Sequence, residues 1–317
     1  MSIKMKNLLT HLQHPNSTKD YQAEDEPDAI KISEYWGRRT YQNQKPKISF
    51  ELFPPKSDSA NKLLKKTHQK LSEINPDYFS VTFGALGLSQ NDTFDTVADL
   101  SENTKIPIIP HLTCVGIDKK QVTDLLDEYI AQGVNQIMVL KGDYPKTIIK
   151  KGDFNYANEM VEFIKENYFD INILVAAYPE KHPHSNCIST DIDFFVNKVN
   201  AGADKAVTQY FYNIDAYLHF IEEVQKRNID IPITPGIMPI TNYDQLIYFS
   251  KTCGAEIPAW ILNKLKLYKN DLNSLKEFGE DVVSEMCLKL KDNGVSSFHF
   301  YCLNKAEPTL SIVKKIT

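Results

Sequence analysis

From Lys47 onward the chain alternates between short runs rich in β-branched and aromatic residues and longer stretches whose apolar positions recur every three or four residues. The runs predict strands over 47–53, 77–83, 107–113, 135–140, 172–178, 205–211, 231–237 and 296–302. Helices are predicted between them, among others from Ser59 to Glu73, Lys120 to Gln132, Ile188 to Asn200 and Ile214 to Lys226. Eight β/α units over about 270 residues match the α/β class in its closed form, a (β/α)8 TIM barrel of ~250 residues. An open doubly wound sheet is the competing architecture. It is disfavoured because no strand-turn-helix carries G-x-G-x-x-G and no P-loop is present.

Two segments depart from the repeat. Residues 1–45 are polar, with an acidic stretch Glu24-Asp25-Glu26-Pro27-Asp28 and little periodicity, and are expected to form an N-terminal arm, disordered in part, ahead of a single barrel domain over 46–317. Leu8, Leu9 and Leu12 could make one amphipathic turn of that arm, and Tyr35-Trp36 could anchor it. Before the last strand, Ile257-Pro258-Ala259-Trp260 leads into two consecutive helical patterns ending near Asp292, a helical insertion. Its Lys264, Lys266, Lys269, Asp271 and Lys276 are expected to form a solvated face.

Composition narrows the partners. With 36 basic and 41 acidic residues the net charge of -5 offers no field for nucleic acid or acidic lipid. No stretch has the length and apolarity of a membrane span, and no secretory signal is evident at the N-terminus. The five cysteines, Cys114, Cys187, Cys253, Cys287 and Cys302, are scattered and never spaced C-x-x-C, as expected of reduced thiols in a cytoplasmic protein. A homo-oligomer is expected.

The chemistry begins at Glu51, which sits in the apolar run Ile48-Ser49-Phe50-Glu51-Leu52-Phe53 that Pro54-Pro55 stops. A carboxyl group in such a strand either finds a strong partner or keeps its proton at neutral pH, and in the second case it can serve as a general acid. A buried ion pair, or an edge strand that turns Glu51 to solvent, is the structural alternative. In a barrel of this kind the loops after the strands build the site. Those ends offer Glu51, Thr82, His111, Lys141 with Gly142-Asp143, Tyr178, Gln209 and the segment Tyr301 to Lys305. Polar groups converging from so many strands suit a large ligand with many hydrogen-bonding edges, although each one alone could be a satisfied rim residue. In Leu140-Lys141-Gly142-Asp143 the lysine suits a phosphate, the glycine a close backbone approach, and the aspartate an electron-rich ring. Ala176-Ala177-Tyr178-Pro179-Glu180-Lys181-His182-Pro183 suits a flat ring lying against backbone. His111, His182 and His184 leave one rival open, a metal-dependent barrel hydrolase.

Taken in order, nine blocks resemble the methylenetetrahydrofolate reductases of the short bacterial type. They are Ser49-Phe50-Glu51-Leu52-Phe53-Pro54-Pro55, Val81-Thr82-Phe83-Gly84-Ala85, Pro110-His111-Leu112-Thr113-Cys114, Lys141-Gly142-Asp143, Ala176-Ala177-Tyr178-Pro179-Glu180 and Thr208-Gln209, then Pro235-Gly236-Ile237-Met238-Pro239, Ile257-Pro258-Ala259-Trp260 and Phe298-His299-Phe300-Tyr301. The resemblance implies a flavoprotein that holds FAD at the barrel mouth. NAD(P)H reduces the flavin and leaves. Methylenetetrahydrofolate then binds in the same place and is reduced to 5-methyltetrahydrofolate. By resemblance, Thr82, His111, Lys141, Gly142, Asp143, Tyr156, Ala157, Tyr178, His182, Asp191 and Lys198 surround the flavin. Gln209, Gln245, Phe249 and Lys305, with Glu51 and Thr82, serve the substrates. Glu51 matches the general acid that opens the five-membered ring of the folate, and Asp143 lies near the reacting rings. Two departures stand out, since the family pattern carries arginine where this chain has Lys141 and Lys305. Lysine keeps the charge and loses the bidentate fork.

Overall fold

The computed structural model describes residues 45–83, 90–142 and 152–317. The N-terminal arm lies outside the described residues, apart from its last position. Along the chain run β1 (Lys47–Leu52), α1 (Asp58–Ser72), β2 (Tyr78–Val81), α2 (Gln90–Ser101), β3 (Ile108–Thr113), α3 (Lys119–Ala131), β4 (Gln136–Leu140), α4 (Ala157–Asn167) and β5 (Asn172–Ala177). Then follow α5 (Ile188–Asn200), β6 (Lys205–Tyr210), α6 (Ile214–Gln225), β7 (Ile233–Ile237), α7 (Tyr243–Cys253), α8 (Ala259–Leu267), α9 (Leu272–Asp292), β8 (Ser297–Tyr301) and α10 (Thr309–Ile316). Each strand pairs in parallel with the next, and β8 returns to β1 in the register Lys47↔Ser297 to Glu51↔Tyr301. The sheet is a closed eight-stranded barrel. Closure removes the edge-strand alternative for Glu51, because β1 is hydrogen-bonded on both sides.

Strand alternation divides the sequence between two cores. In β1, Ile48, Phe50 and Leu52 belong to the large cluster between sheet and helices, so Ser49 and Glu51 take the opposite, inner face. Inside the barrel, Tyr78, Ile109, Met138, Leu174 and Val207 make a separate apolar cluster, one residue from each of β2 to β6. Near β1 and β8 the interior is polar. His299 is wholly buried, with Nδ1 2.8 Å from Ser49 Oγ and Nε2 3.5 Å from Ser80 Oγ, and its ring stacks on Tyr78. Burial pushes its pKa down to about 3, so it is a neutral imidazole, and the serine hydroxyls supply the partners that such a buried ring requires.

The predicted insertion is present as α8 and α9, with α10 packed on α9 through Lys315, which bridges Glu280 at 2.9 Å and Asp281 at 3.1 Å. Lys269 pairs with Asp244 at 2.6 Å on the expected solvated face. Among the described residues no helix is long and apolar enough to cross a membrane.

Candidate active site

The carboxyl end of β1 is fixed from β8. The Asn304 side chain accepts from Phe53 N at 3.0 Å and donates to Phe53 O at 2.8 Å, while Cys302 Sγ donates to Glu51 O at 3.1 Å. Leu303 and Asn304 both take left-handed backbone conformations to make this turn. Glu51 is thereby held on the inner face at the mouth, with 23 % of its side chain still open. Desolvation pushes its carboxyl group up to about 8, so it keeps its proton at neutral pH. His111 Nε2 stands 3.8 Å from Glu51 Oε2, beyond hydrogen-bond reach, and burial pushes that imidazole down to about 3. A protonated carboxyl beside a neutral ring is not an ion pair, so His111 is not the strong partner that the second structural alternative for Glu51 requires.

Two polar atoms here have no partner among the described residues: His111 Nε2 and Thr82 Oγ1 are both shut off from solvent without a hydrogen bond. Unpaired buried polar atoms are costly and common at ligand sites. Close by in the fold, Gly142 follows β4 with φ 79°, and a Cβ there would lie 2.9 Å from Thr113 Cβ and 3.3 Å from Val115 Cγ2. Only glycine lets that corner lie flat against β3. Lys141 is exposed with its ammonium 5.0 Å from the centre of the Tyr156 ring, and Ala157 opens α4 beside it. Asp143 lies outside the described residues.

On the β5 side Tyr178 meets His182 edge to face at 4.7 Å. Asp191, buried in the first turn of α5, orders this loop: it accepts from His182 N at 3.0 Å and from Ser185 Oγ at 2.6 Å. Lys198, two turns further along α5, donates to Ala176 O, and burial pushes its ammonium down to about 8 although Asp191 opposes the shift. Gln209 is half-buried at the end of β6, with Oε1 accepting from Tyr210 N at 3.0 Å. Helix α7 starts at Asn242, whose side chain accepts from Gln245 N at 2.8 Å, and ends at the left-handed Gly254. Gln245 and Phe249, one turn apart, lie beside the buried Leu246 and Ser250, and both are half-buried. Lys305 is exposed on the loop after β8.

The methylenetetrahydrofolate reductase family model matches residues 37–317. The chain belongs to that family. The 5,10-methylenetetrahydrofolate reductase of Buchnera aphidicola from Schizaphis graminum is 38 % identical over 270 residues, 85 % of this chain and 91 % of that protein. Those of Pectobacterium carotovorum and Escherichia coli are 34 % and 33 % identical over 265 residues, 84 % of this chain and 88 % of each. The fold is also similar to that of a Clostridium thermocellum protein described as binding two copies of 5-methyl-5,6,7,8-tetrahydrofolic acid, with TM-score 0.62, 16 % identity, and 87 % of this chain and 96 % of that one covered.

Membership makes the protein an oxidoreductase of methylenetetrahydrofolate reduction and disfavours the hydrolase alternative. Among the described residues no group of three or more His, Cys, Asp or Glu is placed to hold a metal ion. His111 faces Glu51, whereas His182 and His184 pack edge to face on the β5 loop and His182 Nδ1 already accepts from His184 N at 3.1 Å. His299, Asn304 and Glu180 stand out as individual residues only in the fold. The signal for His299 was available in Phe298-His299-Phe300-Tyr301, where alternation puts the histidine and tyrosine on one face.

Proposed function

We propose that the protein binds FAD at the carboxyl ends of its strands and uses it to reduce 5,10-methylenetetrahydrofolate to 5-methyltetrahydrofolate with NAD(P)H as donor, the two substrates taking turns in one site. The observation that carries the reading is Glu51, an inner-face carboxyl at the mouth whose pKa is raised to about 8 beside a neutral histidine. A group poised near the working pH is suited to give a proton to the folate nitrogen that would otherwise be left with charge as its ring opens. Bound FAD would supply the two-electron relay between the nicotinamide and the one-carbon unit.

The residues present fit that group. Thr82 Oγ1 and His111 Nε2 have no hydrogen-bond partner among the described residues, and the flat corner at Gly142 suits a close backbone approach. Tyr156, Ala157, Tyr178 and His182 would offer ring and backbone surfaces, and Lys141 a charge for a phosphate. Lys198 and Asp191 would hold the β5 loop in place, since one grips Ala176 O and the other His182 N. Gln209, Gln245, Phe249 and Lys305 are assigned to the substrates. The test is anaerobic: purified protein should carry FAD absorbance, bleach with NADH or NADPH, and recover colour on adding methylenetetrahydrofolate. Colourless protein that takes up no FAD would sink the reading.

Lys305 gives a narrower prediction. A lysine ammonium meets a carboxylate as a point charge, whereas arginine can engage it through two parallel hydrogen bonds. Lys305→Arg is expected to tighten folate binding by ~1 kcal/mol, about five-fold in Kd. Titration of both forms checks it, and unchanged or weaker affinity would remove Lys305 from the folate contacts.

A further inference from the structure

Glu180 has a position that its neighbours on the β5 loop do not share. Its Oε2 accepts from the backbone N–H of Glu256, in the turn between α7 and α8, at 2.8 Å. Its Oε1 is shut off from solvent with no partner among the described residues. A second contact joins the same two segments: a Cβ on Gly254, the C-cap of α7, would lie 3.0 Å from Pro183 Cγ and 3.7 Å from Lys181 O, so the β5 loop is laid directly against the end of that helix. The third tie comes from β6, where Tyr210 OH is 3.1 Å from Ser250 Oγ on α7. Helix α7 carries Gln245 and Phe249, and the β5 loop carries Tyr178 and His182.

We propose that Glu180 is a positioning residue whose carboxyl group clamps the end of α7 to the β5 loop and so sets where Gln245 and Phe249 stand relative to Tyr178 and His182. The roles of those four residues rest on the function proposed above; the clamp itself does not. Desolvation, opposed by the Glu256 N–H and reinforced by the Glu256 carboxylate, lifts the Glu180 pKa from 4.5 to about 7. The Tyr210 hydroxyl on β6 also faces it, with its pKa raised in part by Glu180 and with the Cys253 thiol of α7 beside that hydroxyl. A folded-state pKa above that of the hydrated acid means that ionisation favours the open arrangement. The clamp is therefore at full strength below pH 4.5 and weakens as pH rises through about 7.

The test compares Glu180→Ala and Glu180→Gln with the native protein loaded with FAD. Alanine removes the acceptor for Glu256 N–H, whereas glutamine keeps an acceptor oxygen without the ionisable proton. Glu180→Ala should lower affinity for methylenetetrahydrofolate about ten-fold with kcat within about three-fold, and should speed thiol labelling of the half-buried Cys253 at least ~5-fold. The exposed Cys187 serves as the internal standard for labelling. Glu180→Gln should hold affinity and Cys253 protection at or above the native level at pH 6 and lose the native fall in both between pH 6 and 8. The clamp is overturned if Glu180→Ala leaves both quantities within two-fold of native, if glutamine is as impaired as alanine at pH 6, or if glutamine keeps the native pH profile. Should the native protein fail to turn over folate, the proposed function falls, and the clamp is then decided by Cys253 labelling alone.

Discussion

Glu51→Gln is expected to slow the folate half-reaction by at least ~10²-fold while leaving FAD binding and NAD(P)H-driven reduction of the flavin nearly intact. Hydride transfer from a nicotinamide needs no protein acid, whereas ring opening of the folate leaves charge on nitrogen. Glutamine keeps shape and hydrogen bonding and removes the transferable proton. Stopped-flow measurement of each half-reaction separates the two, and equal slowing of both would mean that Glu51 shapes the flavin site instead. The native rate should also be flat below pH 8 and fall above it, because the acid must be protonated and its pKa is raised to about 8. The same shift has a consequence for stability. Between its ordinary 4.5 and about 8 the unfolded chain has released this proton and the folded chain has not, so stability falls as pH rises through that window. Glu51→Gln removes the dependence and should narrow the loss of Tm between pH 6 and 9. A variant as pH-sensitive as the native protein would place the raised pKa elsewhere.

The strands were legible because each sits between breakers and carries β-branched or aromatic residues on at least one face, and all eight observed strands fall inside the predicted spans. The ends came out shorter. The sequence pattern extends β2 to residue 83 and β8 to residue 302, whereas they stop at Val81 and Tyr301. Beyond those points the backbone follows other demands: Thr82 O takes the Thr93 hydroxyl at 2.9 Å, and Cys302 N turns back to Phe300 O at 3.0 Å. Glu51 was legible as an acid in apolar company, since that misfit is visible in one dimension. What stayed hidden was pairing over long sequence separation. Nothing near Ser49 announces that His299 completes it, nor does anything near Glu180 point to the backbone of Glu256. Asn304 clasps Phe53 across the seam where the barrel closes, a contact that exists only once β8 has found β1.

Gly236 is the position where the smallest substitution should do the most damage to the fold. Its constraint is space: a Cβ would stand 2.1 Å from Thr208 O, 2.6 Å from Tyr301 Cε2 and 2.9 Å from Tyr301 Oη. The same carbonyl accepts the Tyr301 hydroxyl at 2.7 Å, and Gly236 N donates to Thr208 Oγ1 at 2.9 Å, so the glycine is the gap through which Tyr301 reaches β6 across β7. Pairing of β6 with β7 already shifts register between Val207 and Tyr210, which leaves little ladder to absorb a displacement. Gly236→Ala should cost about 3 kcal/mol, at the upper end of overpacking, and lower Tm by roughly 5 °C or more. It should also weaken folate turnover, because Tyr301 is the register partner of Glu51. Tyr301→Phe, which removes only the hydrogen bond, should cost about 1 kcal/mol. Combining Gly236→Ala with removal of the whole tyrosine ring decides what the glycine is for. If the clash were with the tyrosine alone, Gly236→Ala combined with Tyr301→Ala would be no less stable than Tyr301→Ala by itself. Contact with a backbone carbonyl predicts instead that the added methyl still destabilises the double variant, and a double variant unaffected by it would show that β6 and β7 can part to admit the methyl group.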